Sequence, residues 1–427
     1  MCAGIYFIFN IIRIMTETVF ERKKIAKTHF KYLESISKKS GVAGNVCMIK
    51  NGRRRFLQAG DTEIYTILKR LNVDKKNMDS EVFSIGFPPK KPVNVAAVKI
   101  IPILNDIHDK KVEREILVLK QCTKLFMSGV SPNLPIYYGD FECKNTDILI
   151  YENPNITSKY ERSRDLVKME ETIAGALKSQ VTVENDIIYK NLSAALKEIR
   201  NVKKNSEITL RSRVIINELS AGDVTILYML LAQMIKHYPQ ETNIFQTTKT
   251  VVFQQLVGIH ILHEKMNIIH YDAHTSNFLF SFMPPGKTLN YVIDRKKYVL
   301  KTPYTIKIWD FGRALSKNDK NLPERITRIA EKLGVTVNKK HKTAGSAFET
   351  LKLLDVFRII FSLKQLIEKL MPTEKTTATF LNSKFILPIS RELKSGDPLT
   401  ITPTTLIDNI FGEFLGIPKT GEDLWSL

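Results

Sequence analysis

The sequence predicts an α+β protein with a sheet-rich first half and a mainly helical second half. Short runs dense in Val, Ile and Ala, such as residues 93–101 and 213–219, fall before residue 220, and runs of that kind form strands. Beyond residue 220, long stretches carry apolar residues three and four apart, the spacing of a helix with one buried face. The chain has 427 residues, of which 43% are apolar. At roughly 150 residues per domain, that suffices for two or three structural units and a large core.

The elements follow in order. Val93-Asn94-Val95-Ala96-Ala97-Val98-Lys99-Ile100-Ile101 is nearly all apolar and reads as a strand. Residues 109–127 place Val112, Ile116, Leu119 and Leu125–Phe126 on one side of a helix. Ser131-Pro132-Asn133 ends that pattern. Residues 157–212 are polar and helix-tending, and read as an inserted helical segment. Residues 213–219 return to strand character. Ser220-Ala221-Gly222-Asp223 then turns the chain into a helix over 224–237, and a second long helix covers 244–266. Strands are expected at 277–282 and 304–309, with a hairpin over 289–301 between them. From about residue 320 the pattern is helical, apart from a looser stretch at 372–405. There is no internal repeat.

The charge is lopsided. There are 64 Lys and Arg against 44 Asp and Glu, a formal net charge of +20. That excludes an acidic disordered chain and points to a polyanionic ligand: nucleic acid, phosphate or an anionic membrane. Residues 1–60 alone hold 12 Lys/Arg against 3 Asp/Glu, with Arg53-Arg54-Arg55 among them. The four cysteines, Cys2, Cys47, Cys122 and Cys143, include no C-x-x-C pair. Isolated buried thiols in a reducing, cytoplasmic setting are therefore expected, with no disulfide framework and no structural zinc. The apolar run Ile5–Ile14 is shorter than the roughly 20 residues a bilayer requires, and it lacks the basic start of a signal peptide. Two explanations stand for it. Either the true start is Met15, or the run is a membrane-touching or partner-binding extension.

Chemistry is concentrated in two segments. One is Ile268-Ile269-His270-Tyr271-Asp272-Ala273-His274-Thr275-Ser276-Asn277-Phe278-Leu279; the other is Ile306-Lys307-Ile308-Trp309-Asp310-Phe311-Gly312-Arg313. A carboxylate followed five residues later by an amide, then a second carboxylate at the end of an apolar strand, is a set of hard oxygen donors. Such donors suit a divalent cation and a phosphate-bearing substrate. Here the sequence resembles the protein kinase superfamily, with the first segment similar to the catalytic loop H-R-D-x-x-x-x-N and the second an intact D-F-G.

The resemblance implies a bilobal fold. A small β-sheet lobe with one helix would cover 36–218, swollen by insertions at about 51–92 and 144–212, and a mostly helical lobe would cover 219–427. Residues 1–35 would form an N-terminal extension. It further implies an ATP- and Mg²⁺-dependent enzyme that phosphorylates Ser or Thr of proteins. Asp272 would orient the acceptor hydroxyl, and Asn277 and Asp310 would hold the metal. Val95-Ala96-Ala97-Val98-Lys99 resembles the V-A-I-K strand, so Lys99 would bind phosphate and Ala97 would line the nucleotide. Arg114-Glu115-Ile116 resembles the helix whose glutamate pairs with that lysine. Glu115 is preferred and Glu113 competes. Ser40-Gly41-Val42-Ala43-Gly44-Asn45-Val46 resembles the glycine-rich loop, with Lys39 where its first glycine belongs. Gly41, Gly44 and Val46 would approach the nucleotide. Asn217, Glu218 and Ser220 resemble the hinge that cups adenine, with 148–152 as a rival. Asp355 resembles the aspartate that braces the catalytic loop without touching substrate.

Departures from the family pattern bear on the substrate. Tyr271 stands where an arginine usually pairs with an activation-loop phosphate. His274 replaces a lysine that contacts the γ-phosphate, and as imidazolium it would restore the missing charge and make activity pH-sensitive. Leu322-Pro323-Glu324 is a poor A-P-E motif. The hairpin before D-F-G is similar to that of haspin-like kinases and of kinases of poxviruses, iridoviruses and giant viruses, so a viral kinase is expected. A small-molecule kinase of the aminoglycoside or choline type, or a kinase-fold binding module of weak activity, are the alternatives. Zinc at His260, His263, His270 and His274 is not expected, because no cysteine or paired carboxylate completes the set. Protein substrates, no sequence-specific nucleic acid and a monomer are expected.

Overall fold

The computed structural model describes residues 19–40, 46–51, 54–71, 80–87, 95–103, 106–143, 211–238, 240, 242–418 and 424–427. The chain is α+β, as the sequence predicts. It divides into two compact units. One comprises the described residues within 27–116 and 137–219; the other comprises those up to 26, those of 117–136 and those from 220 onward.

The first unit is built on a seven-stranded antiparallel sheet. Helix α1 (Val19–Ser40) precedes β1 (Val46–Asn51), β2 (Arg54–Ala59), β3 (Thr62–Arg70), β4 (Glu81–Gly86) and β5 (Ala96–Pro102). Helix α2 (Asp106–Met127), β6 (Tyr137–Cys143) and β7 (Ser212–Asn217) follow, and the strand order is β1-β2-β3-β4-β5-β7-β6. The apolar sequence of β5 and β7 follows from their position inside the sheet, where Val98, Val214, Ile215 and Ile216 are fully buried.

Three expectations need correction here. Residues 51–92 are not an insertion, because they supply β2, β3 and β4. Alternation in β2 buries Leu57 and Ala59 and leaves Phe56 and Gln58 half-buried, and the neighbouring arginines mask that period. Next, Cys47 and Cys143 are not isolated thiols. They form a disulfide with Cα atoms 4.8 Å apart, across 96 residues of sequence. One lies on β1 and the other on β6, so the cross-link joins the two edge strands of the sheet. Cys122 is a free, buried thiol, as expected. Finally, residues 19–35 are not an appendage. Helix α1 buries Arg22, Ala26, His29, Leu33 and Ile36, a helical stripe of contacts. Its His29 ring stacks on Tyr138 at 4.1 Å and hydrogen-bonds the Tyr65 hydroxyl at 2.8 Å. Residues 1–18 and the inserted segment 144–210 lie outside the described residues.

The second unit is mainly helical. Its elements are β8 (Gly222–Asp223), α3 (Val224–His237), α4 (Ile244–Lys265), β9 (Ile268–Ile269), β10 (Phe278–Phe282), β11 (Thr288–Ile293), β12 (Lys296–Lys301), β13 (Tyr304–Ile308) and β14 (Leu315–Ser316). Then come α5 (Leu322–Leu333), α6 (Ala347–Leu370), α7 (Lys375–Leu381), α8 (Leu387–Ser395), α9 (Pro403–Ile410) and β15 (Leu424–Ser426). Helix α4 is buried around most of its circumference, which its apolar and small residues permit. Asn133, fully buried, ties the turn after α2 to this core. Its amide donates to Gln254 Oε1 at 3.1 Å and to the Ile306 carbonyl at 2.6 Å, and its Oδ1 accepts from the Tyr291 hydroxyl at 3.0 Å. Arg22 donates to the carbonyls of Pro132 and Leu134 at 2.7 and 2.8 Å.

The expected looser stretch at 372–405 is mostly helical. Thr377, Leu381, Phe385, Ile389 and Leu393 are all fully buried. A strict four-residue step drifts by about 40° around an α-helix, at about 100° per residue. A π turn over Asn382–Ile386 takes up part of that drift, so the pattern does not show the usual helical spacing. Leu322-Pro323-Glu324 opens α5, with Pro323 in its first turn.

Candidate functional site

In the sheet unit, β5 carries Lys99 and α2 carries Glu115. Their Nζ and Oε1 atoms are 2.7 Å apart and both side chains are buried. A buried charge needs such a partner. The competing Glu113 instead meets Arg213 at 3.3 Å, and Asp109 takes Arg211 and Arg213 at 2.9 and 3.1 Å. Ala97 lies beside Ser84 on β4 and Asn217 on β7. Val46 is buried at the start of β1. Gly41 and Gly44 lie outside the described residues, as does the rival hinge at 148–152. Asn217 is only 1% exposed, yet among the described residues neither its Oδ1 nor its Nδ2 has a partner. An orphaned amide of this kind costs about 1–3 kcal/mol unless a ligand or water satisfies it. Glu218 is buried, and among the described residues the Ser220 hydroxyl has no hydrogen-bond partner.

In the helical unit, the loop between β9 and β10 carries Asp272 and Asn277. Asp355 of α6, fully buried, accepts from the backbone N–H of His270 at 2.7 Å and of Tyr271 at 2.9 Å, and contacts His263 Nε2 at 3.2 Å. Tyr271 has φ of 60°, a conformation that costs a non-glycine residue about 1–3 kcal/mol and persists only where surroundings impose it. His270 donates from Nε2 to the Trp309 carbonyl at 2.7 Å and accepts at Nδ1 from the Asp272 N–H at 3.3 Å. Both bonds suit one neutral tautomer. Asn277 folds back, its Nδ2 donating to the Asp272 carbonyl at 2.8 Å, and its own carbonyl accepts from the Trp309 N–H at 2.8 Å. Asp310 follows directly, itself at φ 63°. The loop and the D-F-G segment are thus stitched together by backbone.

The donor set suits a hard cation. With Nδ2 occupied, Asn277 presents Oδ1, next to the segment bearing the Asp310 carboxylate. Magnesium takes one or two protein oxygens and completes its shell with phosphate and water. A full protein cage is not required, and among the described residues no group of three or more His, Cys, Asp or Glu could hold a metal.

The surroundings of Asp272 hold the residues that sequence reasoning missed. Arg358 of α6 donates to Asp272 Oδ1 and to the Tyr271 carbonyl, the latter at 3.0 Å. Arg313 Nε lies 3.7 Å from Asp272 Oδ2. Arg358 follows Asp355 by three residues and shares its helix face, but that spacing alone does not show its contact with Asp272. His274 Nε2 lies 3.8 Å from Asp272 Oδ1. Its pKa is lowered from 6.5 to about 4, chiefly by burial, with Asp272 opposing the shift and Arg358 adding to it. The ring is neutral at neutral pH. An uncharged ring would not stand in for the lysine's charge, and Arg358 and Arg313 are the cations that face Asp272. Tyr271, in the arginine position of the loop, instead donates its hydroxyl to the Arg325 carbonyl of α5 at 3.3 Å.

Comparison with known proteins gives limited kinship. No family model matches the chain. An uncharacterised protein, C717R, of African swine fever virus (Tick/Malawi isolate) is 26% identical over 224 residues, which is 49% of this chain and 29% of the viral protein. Its counterpart from the Pretoriuskop isolate is 25% identical over 221 residues, with the same coverage. The match therefore takes in less than a third of each relative's length. Among solved structures, the crystal structure of the BubR1 kinase domain aligns over 91% of this chain and 93% of its own, at 12% identity and a TM-score of 0.39. Among the described residues, no helix is long and apolar enough to cross a membrane.

Proposed function

We propose that this protein is a divergent, virus-type kinase that transfers the γ-phosphoryl group of ATP to Ser or Thr hydroxyls of proteins. The observation that carries this reading is the loop held by Asp355, which presents Asp272 and Asn277 beside Asp310 through backbone hydrogen bonds. Phosphoryl transfer needs little covalent chemistry from a protein and depends on positioning and charge. A rigid, backbone-locked carboxylate meets the first need.

In this scheme Asp272 Oδ2 accepts a hydrogen bond from the acceptor hydroxyl and aims it at the γ-phosphorus. The new O–P bond forms, the bond to the β–γ bridging oxygen breaks, and ADP leaves with the electron pair while the hydroxyl proton passes toward Asp272. Magnesium, when bound with ATP, neutralises phosphate charge, and Asn277 Oδ1 and Asp310 would hold it. Lys99, oriented by Glu115, would bind the phosphates. The Asn217 amide, buried without a partner, would meet the adenine edge, with the backbone of Glu218 and Ser220 beside it. We place its action in an infected cell, as a monomer acting on protein substrates.

One observation favours a second reading, a kinase-fold binding module of weak activity: both Asp272 carboxylate oxygens already face an arginine. Labelled ATP with Mg²⁺ and a mixed protein substrate separates the two. Transfer to Ser or Thr, reduced by about 10²–10⁴-fold in Asp272→Ala with ATP binding intact, supports the enzyme. ATP binding without transfer supports the module.

A further inference from the structure

A cavity of about 670 Å³ opens beside Asp272 in the helical unit, and cations dominate its wall: Arg313, Arg358, Lys332 and Lys369 against the single carboxylate of Asp272. Asp272 is engaged by Arg358 and Arg313. Lys332, at the end of α5, and Lys369, near the end of α6, are exposed and have no acidic partner among the described residues. The His274 ring adds no charge at neutral pH. The nearest acid along the chain from Lys369 is Glu368, and it pairs with Lys364 at 2.7 Å. Two unpaired lysines on one cavity leave a positive potential that an anion would relieve.

The spacing selects the kind of anion. Arg358, Phe361, Ser362, Gln365, Leu366 and Lys369 all line the cavity, at the three- and four-residue steps of one helix face. From Arg358 to Lys369 the helix rises about 16 Å, at about 1.5 Å per residue. An extended peptide covers that distance in about five residues, at roughly 3.3 Å each. A single small phosphate ester does not. We infer, on the footing of the phosphotransfer reading above, that this groove selects protein segments bearing a phosphoserine or an acidic side chain four or five residues from the acceptor hydroxyl. Lys332 and Lys369 would bind that anion, and Phe361 and Leu366 would support the intervening chain.

The test uses the full chain and synthetic Ser peptides. Phosphoserine is set four or five residues before or after the acceptor, next to it, or replaced by Asn. The expected result is a KM at least about tenfold lower for one of the distant placements than for the Asn peptide. In the double reversal Lys332→Glu/Lys369→Glu, that advantage should vanish while kcat and KM on the Asn peptide hold. Equal KM for all peptides would overturn the inference. So would an advantage only for the adjacent phosphoserine, or an equal loss on every peptide in the reversed variant.

Fluorescence anisotropy of the labelled peptides reads the same preference without turnover. Peptide binding that needs the distant phosphoserine and both lysines, with no phosphoryl transfer, would overturn the kinase reading and leave this one standing. Free phosphoserine competing as well as the peptide would overturn the assignment to an extended segment.

Discussion

Asp355 is the residue on which the geometry of the loop depends. Its two oxygens satisfy two consecutive backbone N–H groups and hold Tyr271 in its left-handed conformation. In Asp355→Ala both N–H groups lose their acceptor, at about 1–3 kcal/mol each, and the strain at Tyr271 is no longer opposed. The expected outcome is a loss of about 2–5 kcal/mol in denaturant unfolding and, for the phosphoryl transfer proposed above, loss of turnover with peptide affinity retained. His274 leads to a second expectation. Because burial holds its pKa at about 4, the ring does not change charge between pH 5.5 and 8. The pH profile of kcat/KM for His274→Gln should therefore match that of the wild type in shape across this window. An inflection near pH 6.5 that disappears in the Gln variant would show that the ring titrates there and would restore the imidazolium.

At the scale of elements, the disulfide gives the next expectation. Cys47 and Cys143 close a span of 96 residues and join the first and last strands of the sheet. Cross-links of that span typically stabilise by about 2–4 kcal/mol. Cys47→Ser and treatment with a reductant should each lower the unfolding midpoint of the sheet unit, and the reductant should do nothing further to the variant. An unchanged midpoint in both would mean that the pairing adds nothing to stability. The sequence could not reveal this pair, because proximity across strands 96 residues apart is a property of sheet order. The same limit hid β2 to β4, whose period is masked by Arg54 and Arg55, and the helices of 375–395, whose four-residue step needs a π turn. By contrast β5, the hairpin of β11 and β12, and the loop between β9 and β10 were legible. Local alternation and short-range motif spacing specify each of them. Lys99–Glu115 was legible through the phase of one helix, whereas Arg358 was not, since its role appears only once the loop lies against α6.

The net charge of +20 takes on a different meaning across the whole molecule once three buried or half-buried histidines are counted with it. His29 in the sheet unit, and His260 and His274 in the helical unit, each have a pKa lowered by burial from 6.5 to about 4. The unfolded chain takes up protons at these rings below about pH 6.5, whereas the folded chain resists until about pH 4. Their contribution to stability is therefore complete above 6.5 and is lost progressively as pH falls toward 4. Protonation also adds positive charge to a chain already in surplus, and self-repulsion acts in the same direction. Thermal unfolding at constant ionic strength should show a midpoint that is flat from pH 8 to 7 and falls steadily from 6.5 to 4.5. In the combined variant His29→Gln/His260→Gln, the fall should be shallower; lost packing lowers the plateau itself, so the slope is the quantity to compare. Added salt should reduce only the self-repulsive part. A slope unchanged by both substitutions would assign the acid sensitivity to the general charge and remove these rings from the account.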